Sequence, residues 1–570
     1  MRLAALKTSN YRCLKAVTVQ LGTQSLLIGG NGAGKTSIVE AVDKVFGAGR
    51  RGYGFTEEDL APDTDKLTVE FEIRPDDGAK FSPEEHALFE THIDVDSSNS
   101  EVVRIRITAG IEDDGLFRSR GEFLKEDGNP DGVLDADTRD AVTFFYLPAA
   151  RDAQREFDDR AGLWSRLAAL LQQADDPDRL DTLTAEAGRE LVEAVLGQER
   201  LESLAETVSE FMSVMYGNGL EAELRATPVD LRTLLRRTAL LVGHGADKTP
   251  LAQHSTGLQT LALFGLFTAY LDTTGGHLLA AGLEEPEIHL APHVARSLVN
   301  KTRASGRQVL FTSHSSAISD RIPISDITVL RRTDAGTVAR RVQPGLFTEE
   351  ELRRIQRELT TIGTEFLFSR SVLFAEGPSE TGAIPEFAAK VGVDFDLLGV
   401  SIVSVSGGSF LPWLKLCGEN GFDIPHTVVC DNDLNLPKLI KMLDELGRLP
   451  NGVDVTKPIG VPERTLLAAD GYFAWSEVDL ESYLVAQGGY PHFEAAADFL
   501  YGAGDIARFR AAQGFTDDAE TIRKYTKQRK VRKPELAAEC AKRFSTVPAE
   551  MEAVINHVAD LAKASYLTGV

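Results

Sequence analysis

Between residues 29 and 36 the chain reads Gly-Gly-Asn-Gly-Ala-Gly-Lys-Thr, the spacing GxxxxGK[ST]. Glycines at these positions let successive backbone N–H groups turn inward around a phosphate chain, and a helix starting there adds the positive end of its dipole. Lys35 can reach the terminal phosphates and Thr36 can ligate Mg²⁺, so Asn31, Gly32, Gly34, Lys35, Thr36 and Ser37 are the candidate ATP-binding residues. Two adjacent carboxylates, Glu284 and Glu285, close an apolar run in HLLAAGLEEPE. Glu284 suits the Mg²⁺ of bound ATP, and Glu285 is placed to polarise an attacking water. His314 ends VLFTSH, where an imidazole can sense the γ-phosphate. Ser255 and Gly257, in HSTGLQ, stand ahead of a helical segment and suit a further phosphate contact.

A second acidic constellation follows. SVLFAEGPSE places Glu376 at the end of an apolar run and Glu380 about a helical turn later. HTVVCDND places Asp431 and Asp433 in the same relation to another such run. If both runs are strands of one parallel sheet, their ends share an edge and the four carboxylates meet. Crowded carboxylates repel, and a cation relieves them. Oxygen-only ligands select Mg²⁺, Mn²⁺ or Ca²⁺ over zinc. A third group, Glu477, Asp479 and Glu481, follows the next strand-like run and offers ligands for a second ion; it reads equally well as an acidic first helical turn. Beyond it, Arg523, Lys524, Lys527, Arg529, Lys530, Arg532 and Lys533 form a basic run suited to a phosphate backbone.

The elements that must carry these residues follow from periodicity. Residues 1–30 read as two short strands and a buried one, Ser25–Ile28, with a helix from about Thr36 to Phe46. KLTVEFEI (66–73), EVVRIRIT (101–108) and VTFFYL (142–147) read as strands. From about 152 to 240 the chain is rich in Leu, Ala, Glu and Arg at helical spacing, a helical insertion suited to dimerisation. Strand–helix alternation returns over 255–350, and a linker is expected at roughly 345–370. A second α/β unit has strands at 371–375, 400–405, 426–430 and 472–475; beyond 485 the chain is mainly helical. The expected units are 1–151 with 246–365, the insertion 152–245, the second α/β domain 366–485 and a helical, DNA-binding region 486–570.

Bulk composition bounds the reading. With 570 residues, 43% hydrophobic and 26% charged, the chain can form two to four packed domains. Four scattered cysteines form no CxxC pair, which argues against zinc or a disulfide framework and for a reducing, cytoplasmic setting. No run approaches the length of a membrane span, so no membrane partner is expected. The net charge of −25 places any nucleic-acid contact on local basic segments.

The order of P-loop, Ser-Gly loop, Glu-Glu strand and strand-His resembles the ABC-type ATPases of the SMC and RecF kind, and Asn10-Tyr11-Arg12 is similar to their N-terminal N-F-R element. HSTGLQ departs from their LSGGQ. That resemblance implies a homodimer in which Ser255 and Gly257 complete the partner's nucleotide site. Strands ending in Glu-Gly and Asp-x-Asp resemble the TOPRIM signature, and an ABC-like ATPase followed by TOPRIM resembles the OLD (overcoming lysogenization defect) family, related to the large subunit of the Gabija system. The resemblance covers nearly the whole chain, with Ala291 standing where the family often has His. It implies two-metal cleavage of DNA, with Glu376, Glu380 and Asp431 on one ion and Asp431, Asp433, Asp479 and Glu481 around the other. It also implies a lysine near the scissile phosphate, best matched by Lys533, and, in some members, a helicase-like partner. The expected role is antiphage defence or DNA repair. The competing readings are an SMC-like ATPase that holds DNA without cutting it, and a ribonuclease of the same architecture.

Overall fold

In a computed structural model, the described residues are 1–47, 52–76, 80–149, 240–244, 247–273, 278–333, 335–405, 409–528 and 531–567. Of the expected helical insertion 152–245, only residues 240–244 lie among them. The chain opens with strands β1 (Arg2–Tyr11) and β2 (Leu14–Gln20), the first longer than expected, and then β3 (Gln24–Gly29). There follow β4 (Lys66–Arg74), β5 (Asp94–Val95), β6 (Glu101–Ile111), β7 (Phe117–Leu124), β8 (Pro130–Val133) and β9 (Thr143–Leu147). β10 (Leu241–His244) and β11 (Asp247–Pro250) pair as a hairpin, so the boundary expected at 245/246 falls inside one element. β12 (Leu278–Glu284), β13 (Val309–Thr312), β14 (Ile327–Thr333) and β15 (Gly336–Arg340) complete the first half.

Alternation decides which strands face one core and which are buried on both sides. In β4, Leu67, Val69, Phe71 and Ile73 are buried while the residues between them are not. β4 lies in an antiparallel sheet of order β2-β1-β4-β6-β7-β8, with β5 beside β6. Its apolar face packs with the helix Lys35–Phe46 in one core. β3 is buried along its whole length, as a central strand of a parallel sheet must be. That sheet has the order β15-β14-β3-β13-β12-β9, with only β15 antiparallel.

The expected linker at 345–370 is instead a packed joint. Thr348 and Glu351 form a capping box on the helix Glu349–Ile362, and a short turn, Glu365–Phe368, follows. Ile355, Leu359, Phe366 and Leu367 are buried in a core that runs from the first parallel sheet into the second. Phe366 packs edge-on against Trp413 with ring centroids 5.7 Å apart. Polar ties cross the same joint. Arg331 donates to the Asp423 carbonyl at 3.0 Å, Arg340 pairs with the Asp423 carboxylate at 3.0 Å, and Lys415 pairs with Glu351 at 2.9 Å.

The second half is a four-stranded parallel sheet, β16 (Ser371–Ala375), β17 (Val400–Ser404), β18 (His426–Cys430) and β19 (Tyr472–Ala474), in the order β17-β16-β18-β19. One face meets the joint core. The other packs on the C-terminal helices, Tyr490–Tyr501 to Ala549–Leu567, in a single core with the helix Pro378–Lys390. The helical region beyond 485 is therefore built into the second α/β unit and does not stand apart from it. No helix among the described residues is long and apolar enough to cross a membrane.

Because Phe366 is buried between the two sheets, Phe366→Ala should cost about 3–5 kcal/mol. Urea denaturation checks this; a change below about 0.5 kcal/mol would show that the joint is not a packed core.

Candidate ATPase and metal sites

β3 delivers the P-loop. Gly32 (φ 74°) and Gly34 (φ 97°) take left-handed backbone there, and a Cβ on Gly34 would meet Leu14 at 2.6 Å. Lys35 is buried, with its ammonium donating to the carbonyls of Gly29 (2.9 Å) and Gly30 (3.0 Å). Burial pushes its pKa down, against the pull of Glu285, Glu284 and Glu287. The Thr36 hydroxyl bonds directly to Glu284. Glu284 also accepts from the Tyr146 hydroxyl at 2.8 Å and the Ala149 N–H at 3.1 Å. The close approach behind this needs a small residue, since a Cβ on Gly282 would meet Val39 at 2.5 Å and Phe144 at 2.8 Å.

Glu285 follows in left-handed backbone (φ 41°), which turns its carboxylate away from the strand line. His314 Nε2 lies 3.8 Å from Glu285 Oε1. Burial, and then the Lys35 ammonium, hold the His314 pKa below the usual imidazole range. Glu287 fixes this corner, accepting from Ser313 Oγ at 2.7 Å and the His314 N–H at 3.0 Å. Its second oxygen is buried with no hydrogen-bond partner among the described residues. That orphaned oxygen, beside Lys35 and the Thr36–Glu284 pair, fits a site that takes a metal–nucleotide complex. Ser255 stands exposed just ahead of the helix Thr256–Thr273. A Cβ on Gly257 would meet the His289 carbonyl at 2.8 Å, so the Ser-Gly loop lies against the turn that follows the acidic strand. Asn10 and Arg12 both have positive φ, and Arg12 is held by Asp59 (2.9 Å) and Glu40 (2.5 Å).

In the second half, strand ends converge. β16 ends before Glu376, β18 before Asp431, and β19 shortly before Asp479. Glu376, Glu380, Asp479 and Glu481 are all buried, and Asp431 is half-buried. Glu376 accepts from the Asp431 N–H at 2.9 Å and from Asn435 Nδ2 at 2.5 Å. Glu481 accepts from Ser379 Oγ at 2.8 Å, and Asp479 caps its helix through Ser482. Burial, and then repulsion from Glu380, Glu376, Asp479 and Glu481, push the Asp431 pKa up to about 9. Burial, and then Glu481, push Glu380 up to about 8. Glu376 and Glu481 are also raised, first by burial.

The four acids expected to meet are thus brought together with one exception. Asp433 sits exposed at the rim, with Oδ1 taking the Asn435 N–H at 2.8 Å, while Asp479 and Glu481 lie inside. Glu477 is exposed outside the group. One Asp431 oxygen is buried without a hydrogen-bond partner among the described residues. Among those residues no three acidic, His or Cys side chains already stand as a ready ligand set. An orphaned carboxylate oxygen among all-oxygen donors fits a hard divalent cation. Lys533 opens the helix Lys533–Arg543, and its charge acts on Glu481. It reaches there because Gly382 leaves room: a Cβ at Gly382 would stand 2.0 Å from the Pro534 carbonyl. Ser379 and Asn435 escaped the sequence reading, although each lies within four residues of a carboxylate that was singled out.

A family model described as "AAA domain, putative AbiEii toxin, Type IV TA system" matches residues 25–320, and one described as "Overcoming lysogenization defect protein-like, TOPRIM domain" matches residues 367–433. The chain is similar to the OLD nuclease of Thermus scotoductus, 22% identical over 463 residues, covering 76% of this chain and 82% of that one. It is similar to the Old nuclease of Escherichia phage P2, 22% identical over 478 residues, covering 76% and 77%. Among solved structures it is similar to the C-terminal region of the Xanthomonas campestris pv. campestris OLD protein, with 26% identity, 35% of this chain and 98% of that chain covered, and a TM-score of 0.30.

The raised acids set a pH dependence. Asp431 near 9 and Glu380 near 8 stand above the roughly 4 of unfolded carboxyls, so the folded chain binds extra protons. Their contribution to stability is full below about pH 4 and is lost as pH rises through about 8 to 9. Without added divalent ion, the thermal midpoint should therefore fall between about pH 6 and pH 9, and Asp431→Asn should flatten that fall. Equal slopes in the two proteins would show that these acids do not repel one another. Gly382→Val should lower the cleavage rate by about tenfold or more by displacing Lys533; an unchanged rate would remove Lys533 from the site.

Proposed function

The chain belongs to the overcoming lysogenization defect family, an AAA-type ATPase joined to a TOPRIM domain, and we propose that it cuts DNA by divalent-metal-dependent hydrolysis of phosphodiester bonds, coupled to ATP turnover. It is an ATPase and an endonuclease. The observation that carries the metal-dependent reading is the buried, unpartnered Asp431 oxygen among four further carboxylates, facing the half that also brings in Lys533. Protons or cations must neutralise such a group, and a nuclease uses the cations.

In the ATPase half, Lys35 and the P-loop N–H groups hold the phosphates, and Thr36 with Glu284 holds the Mg²⁺ of the nucleotide. Glu285 polarises the attacking water, and His314, kept neutral by burial, accepts or passes a hydrogen bond beside it. The exposed Ser255 and the adjoining Gly257 complete the site of a second copy in a homodimer. In the TOPRIM half, Glu376, Glu380 and Asp431 would hold one divalent ion, and Asp431, Asp479 and Glu481, with Asp433 at the rim, would hold another. Two such ions, when bound, stabilise the attacking and leaving oxygens of an in-line displacement. Asn435 and Ser379 orient Glu376 and Glu481 by donating to them. Lys533 offsets charge that builds on the phosphate. The physiological role we assign is defence against phage or repair of DNA.

A supercoiled-plasmid assay in Mg²⁺ or Mn²⁺, with and without ATP, tests this reading. Wild type should nick or linearise the plasmid, and Glu376→Ala should reduce cleavage by about 100-fold or more. Lys35→Ala should abolish ATP turnover and leave basal metal-dependent cleavage detectable. Absence of cleavage in every lane, with ATP turnover intact, would replace the nuclease by an ATPase that holds DNA. Cleavage of structured RNA in place of the plasmid would make it a ribonuclease.

A further inference from the structure

Two apolar side chains stand in solvent at the mouth of the acidic site. Leu434 is 78% exposed and Val478 is 44% exposed. Leu434 directly follows Asp433, and Val478 directly precedes Asp479. Their placement is symmetrical. β18 and β19 are adjacent parallel strands whose last residues, Cys430 and Ala474, are paired in register. Leu434 and Val478 each lie four residues beyond that pair, on neighbouring loops at the same sheet edge. Two positions further on, Leu436 and Leu480 are buried at 2% and 1%. The helix that follows each loop therefore turns one apolar residue into the core, and the apolar residue two positions earlier is left outside.

A single exposed leucine needs no explanation. A matched pair next to carboxylates on adjacent strand ends is different, because a polymer that reaches those carboxylates extends beyond them, past the neighbouring loops that carry both side chains. On the reading that this site cuts DNA, a phosphate lies at the acids and the sugars and bases on either side lie over the lip. Apolar side chains beside a nucleic-acid backbone act as wedges that unstack a base step. Unstacking is easiest at pyrimidine–purine steps and at mismatched or unpaired bases.

We propose that Leu434 and Val478 form an apolar lip that presses between the bases flanking the cut phosphate and directs cleavage to steps that unstack easily. This rests on the nuclease reading above and adds a selectivity to it. The lip touches substrate and not metal, so its action has a readout apart from cleavage.

The test uses the full chain and a duplex carrying 2-aminopurine at a central TA step, with a mismatched and a fully paired version. In EDTA, binding by wild type should raise 2-aminopurine fluorescence as the base unstacks. In Mg²⁺, wild type should cut the mismatched duplex faster than the paired one by about tenfold. Leu434→Ser with Val478→Ser should lose the fluorescence rise and bring that ratio toward one, while Leu434→Met with Val478→Ile should restore both. Both positions are exposed, so thermal midpoints should stay within a few degrees of wild type. A serine variant that keeps the fluorescence rise and the ratio overturns the lip, as does one that loses rate equally on both duplexes. If wild type cuts neither duplex nor plasmid, the nuclease reading falls and the lip with it.

Discussion

Mutual repulsion among carboxylates is the constraint on which the second half of this molecule turns. A parallel sheet sends the C-terminal ends of its strands to one edge, and here three of those ends carry acids. Five carboxylates come together, four of them buried, and burial, with repulsion after it, raises the pKa of Glu376, Glu380, Asp431 and Glu481. An isolated buried charge costs several kcal/mol unless it is neutralised or hydrogen-bonded, on the order of the net stability of a whole domain. The surroundings answer that cost in kind. Ser379 donates to Glu481, Asn435 and the Asp431 N–H both donate to Glu376, and Lys533 supplies a cation from a distant helix. Much of the C-terminal helical packing serves to bring that one lysine in, and Gly382 is the residue whose missing side chain lets it arrive.

The nucleotide site solves a related problem with fewer charges. Lys35 is held among backbone carbonyls and faces three glutamates, so one cation already offsets part of the acidic charge across the loop. The link between the two sites is short. β14 lies directly beside the P-loop strand β3. Arg331 of β14 and Arg340 of β15 both grip Asp423, three residues ahead of β18, whose end presents Asp431. Asp423 itself has positive φ, a conformation that a bulky residue rarely adopts. Close-packed cores transmit displacement instead of absorbing it. β14 and the loop that leads into the acid-bearing strand are therefore tied through one residue.

Both centres were legible in the sequence because Glu284, Glu376 and Asp431 each close an apolar run, and a run of that kind becomes a strand end wherever it folds. The parallel strands at 371–375, 400–404, 426–430 and 472–474 follow from that pattern alone. Lys533 was different: nothing in its spacing singles it out, and only the family resemblance pointed to it. The joint was misread because Glu349–Ile362 is dominated by charged residues, with Ile355 and Leu359 as a narrow buried stripe. A stripe that narrow reads as a polar tether until its partner surface is known. Asp433 was placed with the inner acids on spacing, but an Asx turn with Asn435 carries it to the rim. Hydrogen bonds of this local kind depend on side-chain geometry that composition does not record.

A chain of net charge −25 approaching a polyanion faces a long-range barrier that no single contact removes. The arrangement of charge answers part of it. Of the basic run, Arg529 and Lys530 lie outside the described residues; Arg523 and Lys524 are half-buried on the helix Asp518–Gln528, and Lys527 and Arg532 are exposed. On the proposed reading, the acids that repel DNA are the same groups that would recruit divalent cations, and each ion bound would remove two negative charges where the backbone must come closest. Cation binding and nucleic-acid binding at this edge are then thermodynamically linked, because each lowers the electrostatic cost of the other. Screening by monovalent salt weakens the long-range repulsion within about 10 Å at 0.1 M but leaves buried groups nearly untouched. On the proposed reading, the divalent site would supply the chemistry of the TOPRIM half and would also ease the approach of its substrate.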